Sequence, residues 1–454
     1  MNRFPLLSKT AIIGFLMVLL LIPLSMVREV IAERTQNREQ ATREVARAHA
    51  GEQTLTGPVL QVPYTETYIR TVIVDVARNT QREETVKEAH VATVFPTTLD
   101  TRSRLTTETR WRGIFPVTVY NSRHDSAGRF VWQGVTPREK GGQITLGQPW
   151  LSFGVSDLRG LLGRPELKLG GRALSIAASP AGAHLPLPLA APLDAALLQP
   201  GATLDFTLGM DLAGTERIGF VPLADDNKVT LTSPWPHPSF DGDFLPRSRS
   251  VTSQGFEASW SVPSLSTQAQ QQFLNDAKDR PPVDSFSVSL ENPVDVYRLT
   301  ERATKYGLMF IVLTFAAFFV LEMVRRWRIH PMQYLMIGAA LVLFFLLLLS
   351  LSEHMDFLLA YLAGSAACIA LLAHYLRHAL GGWRAGLGMG GMLVALYGVL
   401  YGILVSEDNA LMMGSLLLFG VLAAIMVATR KIDWYNVMGS GAAAVDTAVS
   451  SDHA

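Results

Sequence analysis

HPMQYLMIGAALVLFFLLLLSLSEH, residues 330–354, decides the architecture. Twelve Leu, Ile, Val or Phe residues lie between Leu335 and Leu351, with no charge among them. At about −0.3 to −0.6 kcal/mol each near a bilayer centre, they favour membrane insertion by several kcal/mol. Similar apolar runs flank this one, at 307–324 before it and at 357–376, 385–405 and 410–429 after it. Each is long enough to cross a bilayer, although six glycines dilute 385–405. Thr10–Val27 (TAIIGFLMVLLLIPLSMV) is a further uncharged run between Lys9 and Arg28. It reads as an anchor in preference to a cleaved signal peptide, because no small-x-small site follows it directly. Pro23 would kink it, which a membrane helix tolerates.

The loops between these runs alternate in sign. Arg325, Arg326 and Arg328 follow the first of the five, Glu353 and Asp356 the second, and Arg377 and Arg384 the third. Glu407 and Asp408 follow the fourth, and Arg430 and Lys431 close the last. Positive charge stays on the cytoplasmic side, so both termini are predicted inside and residues 28–306 outside, in the periplasm of a bacterial cell. Residues 1–27 are then the cytoplasmic N-terminus and first span, 28–306 a periplasmic domain, 307–429 a five-helix transmembrane bundle, and 430–454 a cytoplasmic tail that reads as disordered.

The chain has 454 residues, with 39 basic and 39 acidic side chains and no formal net charge. That balance excludes a nucleic-acid binder, which needs a basic excess. With 49% hydrophobic residues, the chain is not a disordered one either. The one cysteine, Cys368, allows neither an internal disulfide nor a cysteine-built zinc site.

Residues 28–50 are rich in helix formers and predict a helix continuing out of the first span to a break at Gly51. From residue 55 the period becomes two, and 71–77, 90–95, 104–115, 116–122, 128–135, 144–157, 202–212, 228–233, 255–263 and 286–299 read as strands. They predict a sandwich or a strongly bent antiparallel sheet. The fold class is therefore an α+β membrane protein. The Ala/Pro-rich stretch 176–201 is a long surface loop or a boundary between two lobes, and 265–279 a short helix.

The most unusual stretch is SPWPHPSFDGDFLP (233–246). Pro234, Pro236 and Pro238 stiffen it; Trp235, Phe240 and Phe244 offer apolar surface; His237, Asp241 and Asp243 offer polar groups. It is either an interaction loop or a rigid connection pinned by its aromatics. A cation site on His237, Asp241 and Asp243 lacks a fourth ligand. The glycines from Gly386 to Gly391 fit GxGxxG but open a membrane helix and follow no strand, so dinucleotide binding is rejected. Gly386/Gly390 and Gly398/Gly402 read as GxxxG packing pairs. Glu322, four residues before Arg326, predicts a local ion pair, with a proton relay the sharper alternative. Glu353, His354 and Asp356 share a tight turn, where they would cap helices or meet the β domain. No spacing selects a catalytic triad. No catalytic, cofactor-binding or metal residues are assigned.

The same stretches carry a family resemblance. SPWPHPSFDGDFLP, LTERATKYGLMFIVLTFAAFFVLE (299–322), HPMQYLMIGAALVLFFLLLLSLSEH, RKIDWY (430–435) and GPVLQVPY (57–64) together resemble the CreD family of bacterial inner-membrane proteins. The likeness covers most of the chain and is most specific in 299–354. It implies a role in cell-envelope integrity, expression under a two-component system, and links to colicin tolerance and β-lactam response. It implies no catalytic activity. The expected partners are the lipid bilayer and an envelope protein, lipid or cell-wall component, with no nucleic acid. The alternative is a transporter or lipid-handling protein, with a polar path past groups such as Ser350, Ser365 and Tyr397. A signalling receptor fits less well, because the cytoplasmic loops and tail offer no output domain.

Overall fold

A computed structural model of the chain describes residues 6–75, 80–179, 187–275, 283–290, 295–325, 329–379, 383–406 and 409–430. The tail predicted as disordered lies outside them from residue 431 onward. The chain opens with α1 (Leu6–Ala48), β1 (Gln53–Asp75), β2 (Thr80–Val94), β3 (Thr98–Arg112) and β4 (Phe115–Trp132). Next come β5 (Gln143–Leu146), β6 (Trp150–Val155), β7 (Glu166–Leu169), β8 (Arg172–Leu174), β9 (Ala177–Ala178) and β10 (Leu189–Pro192). β11 (Ala202–Thr215), β12 (Arg217–Phe220), β13 (Asp226–Ser233), β14 (Pro238–Gly242), β15 (Ser248–Thr252) and β16 (Gly255–Pro263) follow. After α2 (Ala269–Leu274) and β17 (Phe286–Leu290) the chain is helical: α3 (Val296–Lys305), α4 (Gly307–Arg325), α5 (Pro331–Ser352), α6 (Phe357–Ala379), α7 (Trp383–Val405) and α8 (Ala410–Thr429). Contacts divide it into two compact units, residues 39–293 and residues 1–38 with 294–454. The hydropathy boundary at 28 and 306 thus leaves short helical stretches that pack with the helical unit.

In the β unit, one sheet runs β14-β17-β12-β1-β6-β10-β9, with β2 and β5 also paired to β1. The other runs β15-β16-β13-β3-β4-β11-β7-β8. Each sheet contains one parallel pair, β1 with β12 and β3 with β13, so the sheets are mixed and not purely antiparallel. The strands alternate cleanly between core and solvent: Leu99, Thr101, Ser103 and Leu105 of β3 point inward while their neighbours are exposed. Leu60, Val62, Phe220 and Phe286 of the first sheet share one core with Phe130, Leu208, Leu231 and Trp260 of the second. The unit is therefore a single sandwich. An aromatic chain ties the two sheets, with Trp260 stacked on Phe286 at 5.2 Å and Phe286 on Phe220 at 5.7 Å. His124 meets Phe220 edge-on at 6.1 Å. Within the expected loop or lobe boundary 176–201, of which 180–186 lie outside the described residues, β10 joins the first sheet, and Ala190, Ala191 and the following Leu193 are buried, so the stretch is part of the sandwich. Gly57 needs its freedom: it sits at φ +88° where the β1/β6 register shifts, and a Cβ there would lie 3.1 Å from the Ser152 carbonyl.

The C-terminal end of α1 is fastened inside this unit. The Gly51 N–H donates to Asp157 Oδ2 at 2.9 Å, and Arg159 donates to the Arg47 carbonyl at 2.7 Å. That satisfies one of the orphan carbonyls at the helix end.

In the helical unit, Ile13, Leu16, Leu20, Leu24, Val27 and Ile31 form a buried stripe on α1. Their three- and four-residue spacing is that of one helix face. A Cβ at Gly338 would overlap Leu20, and one at Gly307 would lie 3.0 Å from Leu24. The first helix is thus a packed member of the bundle. Glu322 pairs with Lys9 of α1; the neighbour expected to pair with it, Arg326, lies outside the described residues. Tyr334 Oη donates to Glu322 at 3.0 Å, and Lys9 also donates to the Ile329 carbonyl at 2.8 Å.

The strand expected over 286–299 ends at Leu290. Asp295 caps α3 instead, accepting from the Tyr297 N–H at 3.0 Å. Among the described residues five helices are long and apolar enough to cross a membrane, and the pair α3–α4, bent by 44°, makes a sixth if it counts as one span. Gly386 and Gly390 let α7 approach Ala373 of α6, and Gly402 meets Met413 of α8, whereas Gly398 faces open space. The helix expected over 265–279 is confined to α2, with 276–282 outside the described residues.

Candidate functional site

The Pro-rich stretch 233–246 crosses between the two sheets. β13 ends at Ser233 in the second sheet, β14 joins the first, and the chain returns to the second as β15. Prolines suit this edge position because a central strand would need their missing N–H groups. Trp235 is half-buried against the core, and its Nε1 donates to the His237 carbonyl at 3.1 Å. Phe240 packs edge-on against Phe256 and Trp260, both at 5.9 Å, and the Arg249 guanidinium lies 5.8 Å from its ring. Phe244 also rests on the core, and its carbonyl accepts from Trp260 Nε1 at 3.2 Å.

The carboxylates are tied to β17 and its approach. Asp241 accepts from Ser289 Oγ at 2.7 Å and from Ser239 Oγ at 3.3 Å. Asp243 accepts from the Ser285 N–H at 2.8 Å while its own N–H donates to the Ser285 carbonyl at 2.8 Å. His237 is exposed. The structure therefore gathers Trp235, Phe240 and Phe244 on the core and engages Asp241 and Asp243 in backbone and hydroxyl bonds. His237, Asp243 and Leu245, the last 71% exposed, form the outward rim. Among the described residues no three His, Cys, Asp or Glu side chains converge on a point where a metal could sit.

Sequence reasoning missed Arg249, Trp260 and the serines opposite the carboxylates. The serines had a visible sign: in SFSVSL (285–290), Ser285, Ser287 and Ser289 alternate with apolar residues. That pattern is a strand with one core face and one hydroxyl face.

A second polar arrangement lies in the helical unit. Glu353 at the end of α5 accepts from Tyr297 Oη at 3.2 Å and stands 3.6 Å from Arg34. Arg38 reaches Asp295 at 2.5 Å, and Arg28 donates to the Thr304 carbonyl at 3.0 Å. The turn that the sequence singled out for Glu353 thus ties α5 to α3 and to the polar stretch of α1.

A third lies inside the sandwich. His124 is fully buried, with Nδ1 2.7 Å from Ser103 Oγ and Nε2 2.8 Å from Ser122 Oγ. Burial pushes its pKa down to about 3. A neutral imidazole held between two hydroxyls satisfies the hydrogen bonding of a buried polar group.

A family model described as inner membrane protein CreD matches residues 5–435. The inner membrane protein CreD of Escherichia coli (strain K12) is 35% identical over 445 residues, covering 96% of this chain and 95% of that protein. Two structures of an M1 zinc metallopeptidase from Deinococcus radiodurans overlap 43% of this chain and 42% of theirs. Their identity is 11% and their TM-scores are 0.21 and 0.20. That is too little shared structure to inform fold or activity.

Proposed function

The chain belongs to the CreD family of inner-membrane proteins, and from that premise we propose that it maintains cell-envelope integrity without catalysis. In this reading both termini are cytoplasmic and the β-sandwich is periplasmic. The sandwich docks an envelope protein, lipid or cell-wall component, and the bundle anchors it in the bilayer. The observation that carries the reading is the preformed rim at 237–245. His237, Asp243 and Leu245 are displayed on a segment whose neighbours are bonded to the core and to β17. A surface locked before binding loses little entropy on docking.

The transport reading draws less support. Ser350 is exposed, Ser365 Oγ donates to the Leu362 carbonyl one turn back, and Tyr397 Oη donates to Cys368 Sγ at 3.1 Å among Phe310 and Phe344. The three groups do not converge on a common path.

The test is in-cell photocrosslinking from positions 237 and 245 of the full-length protein. A discrete envelope species captured from both, and lost when Asp241→Ala and Ser289→Ala loosen the rim, is the expected result. Self-crosslinks alone, at normal protein levels, would reduce 233–246 to a rigid connection.

A further inference from the structure

The inner-face corner between α6 and α7 is basic, and among the described residues no carboxylate pairs with it. Residues 357–406 contain no Asp or Glu, yet His374, Arg377, His378 and Arg384 fall within fifteen residues of one another. His374, Arg377 and His378 are exposed on one face of the last two turns of α6. The two imidazole rings are 4.8 Å apart, and His378 Nδ1 lies 3.0 Å from the His374 carbonyl. The Arg377 guanidinium is stacked 4.7 Å from the ring of Trp383, itself 59% exposed at the start of α7. The two helices are closely packed here: a Cβ at Gly386 would lie 3.1 Å from the Ala373 carbonyl and 3.2 Å from Arg377 Cβ, so they touch where the arginine stem begins. One further ring, that of Tyr375, is exposed on the same two turns of α6.

An aromatic and basic cluster at the end of an apolar span sits at headgroup depth. There an exposed guanidinium with its flat face on a tryptophan keeps its in-plane N–H fork free for a phosphate. We propose that this corner binds the headgroup of an anionic phospholipid: Arg377 grips the phosphate, His374, in ring contact with His378, donates to it, and Trp383 fixes the guanidinium. Charge complementarity selects the occupant. A zwitterionic headgroup brings an ammonium group into a corner where, among the described residues, no carboxylate pairs with the basic groups, whereas phosphatidylglycerol or cardiolipin brings net negative charge alone. The site requires only that the bundle lies in a bilayer, so it stands independently of the docking role given to the sandwich.

The test uses delipidated full-length protein in detergent, titrated with cardiolipin, phosphatidylglycerol or phosphatidylethanolamine and read by native mass spectrometry. Retention of the anionic lipids over phosphatidylethanolamine is expected, unchanged by millimolar inorganic phosphate. Arg377→Gln should lower retention by about fivefold, and addition of His374→Gln and His378→Gln should lower it further. All three side chains are exposed, so the variants should elute and melt like the parent. Equal retention of zwitterionic and anionic lipid by the parent protein overturns the proposal without reference to any variant. So does undiminished cardiolipin binding by the folded triple variant, or displacement of the lipid by free phosphate.

Discussion

His124 shows how a single buried residue can couple stability to pH. Its neutral ring bridges Ser103 and Ser122 inside the sandwich, and burial holds its pKa near 3, against an ordinary value of 6.5. The unfolded chain therefore takes up a proton below about pH 6.5 that the folded chain refuses until about pH 3. Stability from this group is full above the unfolded value and falls as pH drops through that window, by about 2 kcal/mol between pH 7 and pH 5. Asp157, held well below the usual carboxylate range by Arg159 and the Gly51 N–H, adds acid sensitivity only below about pH 4. Denaturant unfolding of the full-length protein, followed by tryptophan fluorescence at pH 7 and pH 5, should show that loss. His124→Gln should be less stable at pH 7 but show a pH dependence smaller by the same amount. An identical slope in parent and variant would mean the imidazole titrates freely. Asp241 makes the complementary case, because its carboxylate orders the rim through Ser289. Asp241→Ala should cost about 1–2 kcal/mol, the usual loss for a half-buried charged hydrogen-bond group. A loss no larger than that of Ser289→Ala alone would indicate that the hydroxyl, and not the charge, holds the rim.

At the scale of elements, legibility followed the strength of each element's one-dimensional pattern. The spans were readable because the bilayer imposes composition directly, and α4 to α8 fall close to the apolar runs. β2 was mostly missed: as an edge strand paired only with β1, it carries Arg82, Glu83, Glu84, Lys87 and Glu88 and shows no buried alternation. The first four residues of α3 were read as strand because its buried face is Tyr297, Thr300, Ala303 and Thr304, whose helical spacing is disguised by threonine. The parallel pairings of β1 with β12 and β3 with β13 join segments more than a hundred residues apart, and no local rule selects such a register. In the rim, the aromatics were legible as a group, but apart from Ser239 the partners of Asp241 and Asp243 lie over forty residues on, and only the serine alternation of 285–290 announced them. The docking of α1 into the bundle was likewise hidden, since the cavity for Leu20 is made by one glycine on α5. Gly338→Val should therefore displace Leu20 and Phe315 and destabilise the bundle by about 1–3 kcal/mol. Adding Leu20→Ala should recover part of that loss in a thermal melt of the detergent-purified protein. Simple additivity of the two changes would show that α1 does not pack there.

At the scale of the whole molecule, topology turns on a parity. If the bent pair α3–α4 is one crossing, there are six spans and the termini share a side; if it is not, there are five and they do not. α4 alone offers 19 residues, about 28 Å of helix, just short of a hydrocarbon core of about 30 Å. The last turns of α3 therefore matter to the count. Loop charge argues for six: Arg377 and Arg384 follow one span, Glu407 and Asp408 the next, and Arg430 and Lys431 the last, so basic residues recur at every second loop. The Arg377–Trp383 stack adds an interfacial aromatic to the basic side. Fusions of alkaline phosphatase, active only outside the cytoplasm, and of green fluorescent protein, fluorescent only within it, should read accordingly. After Trp383 and after Arg430 the protein should fluoresce and lack phosphatase activity, and after Asp408 the reverse should hold. Residue 20 offers no such control, but Gln53, where the sandwich begins, should give phosphatase activity. With Gln53 outside, an inverted pattern at all three C-terminal points would mean five crossings, with α4 lying in the interface. The positive charges would then face the periplasm, and the docking role of the sandwich would have to be rebuilt on a different anchor.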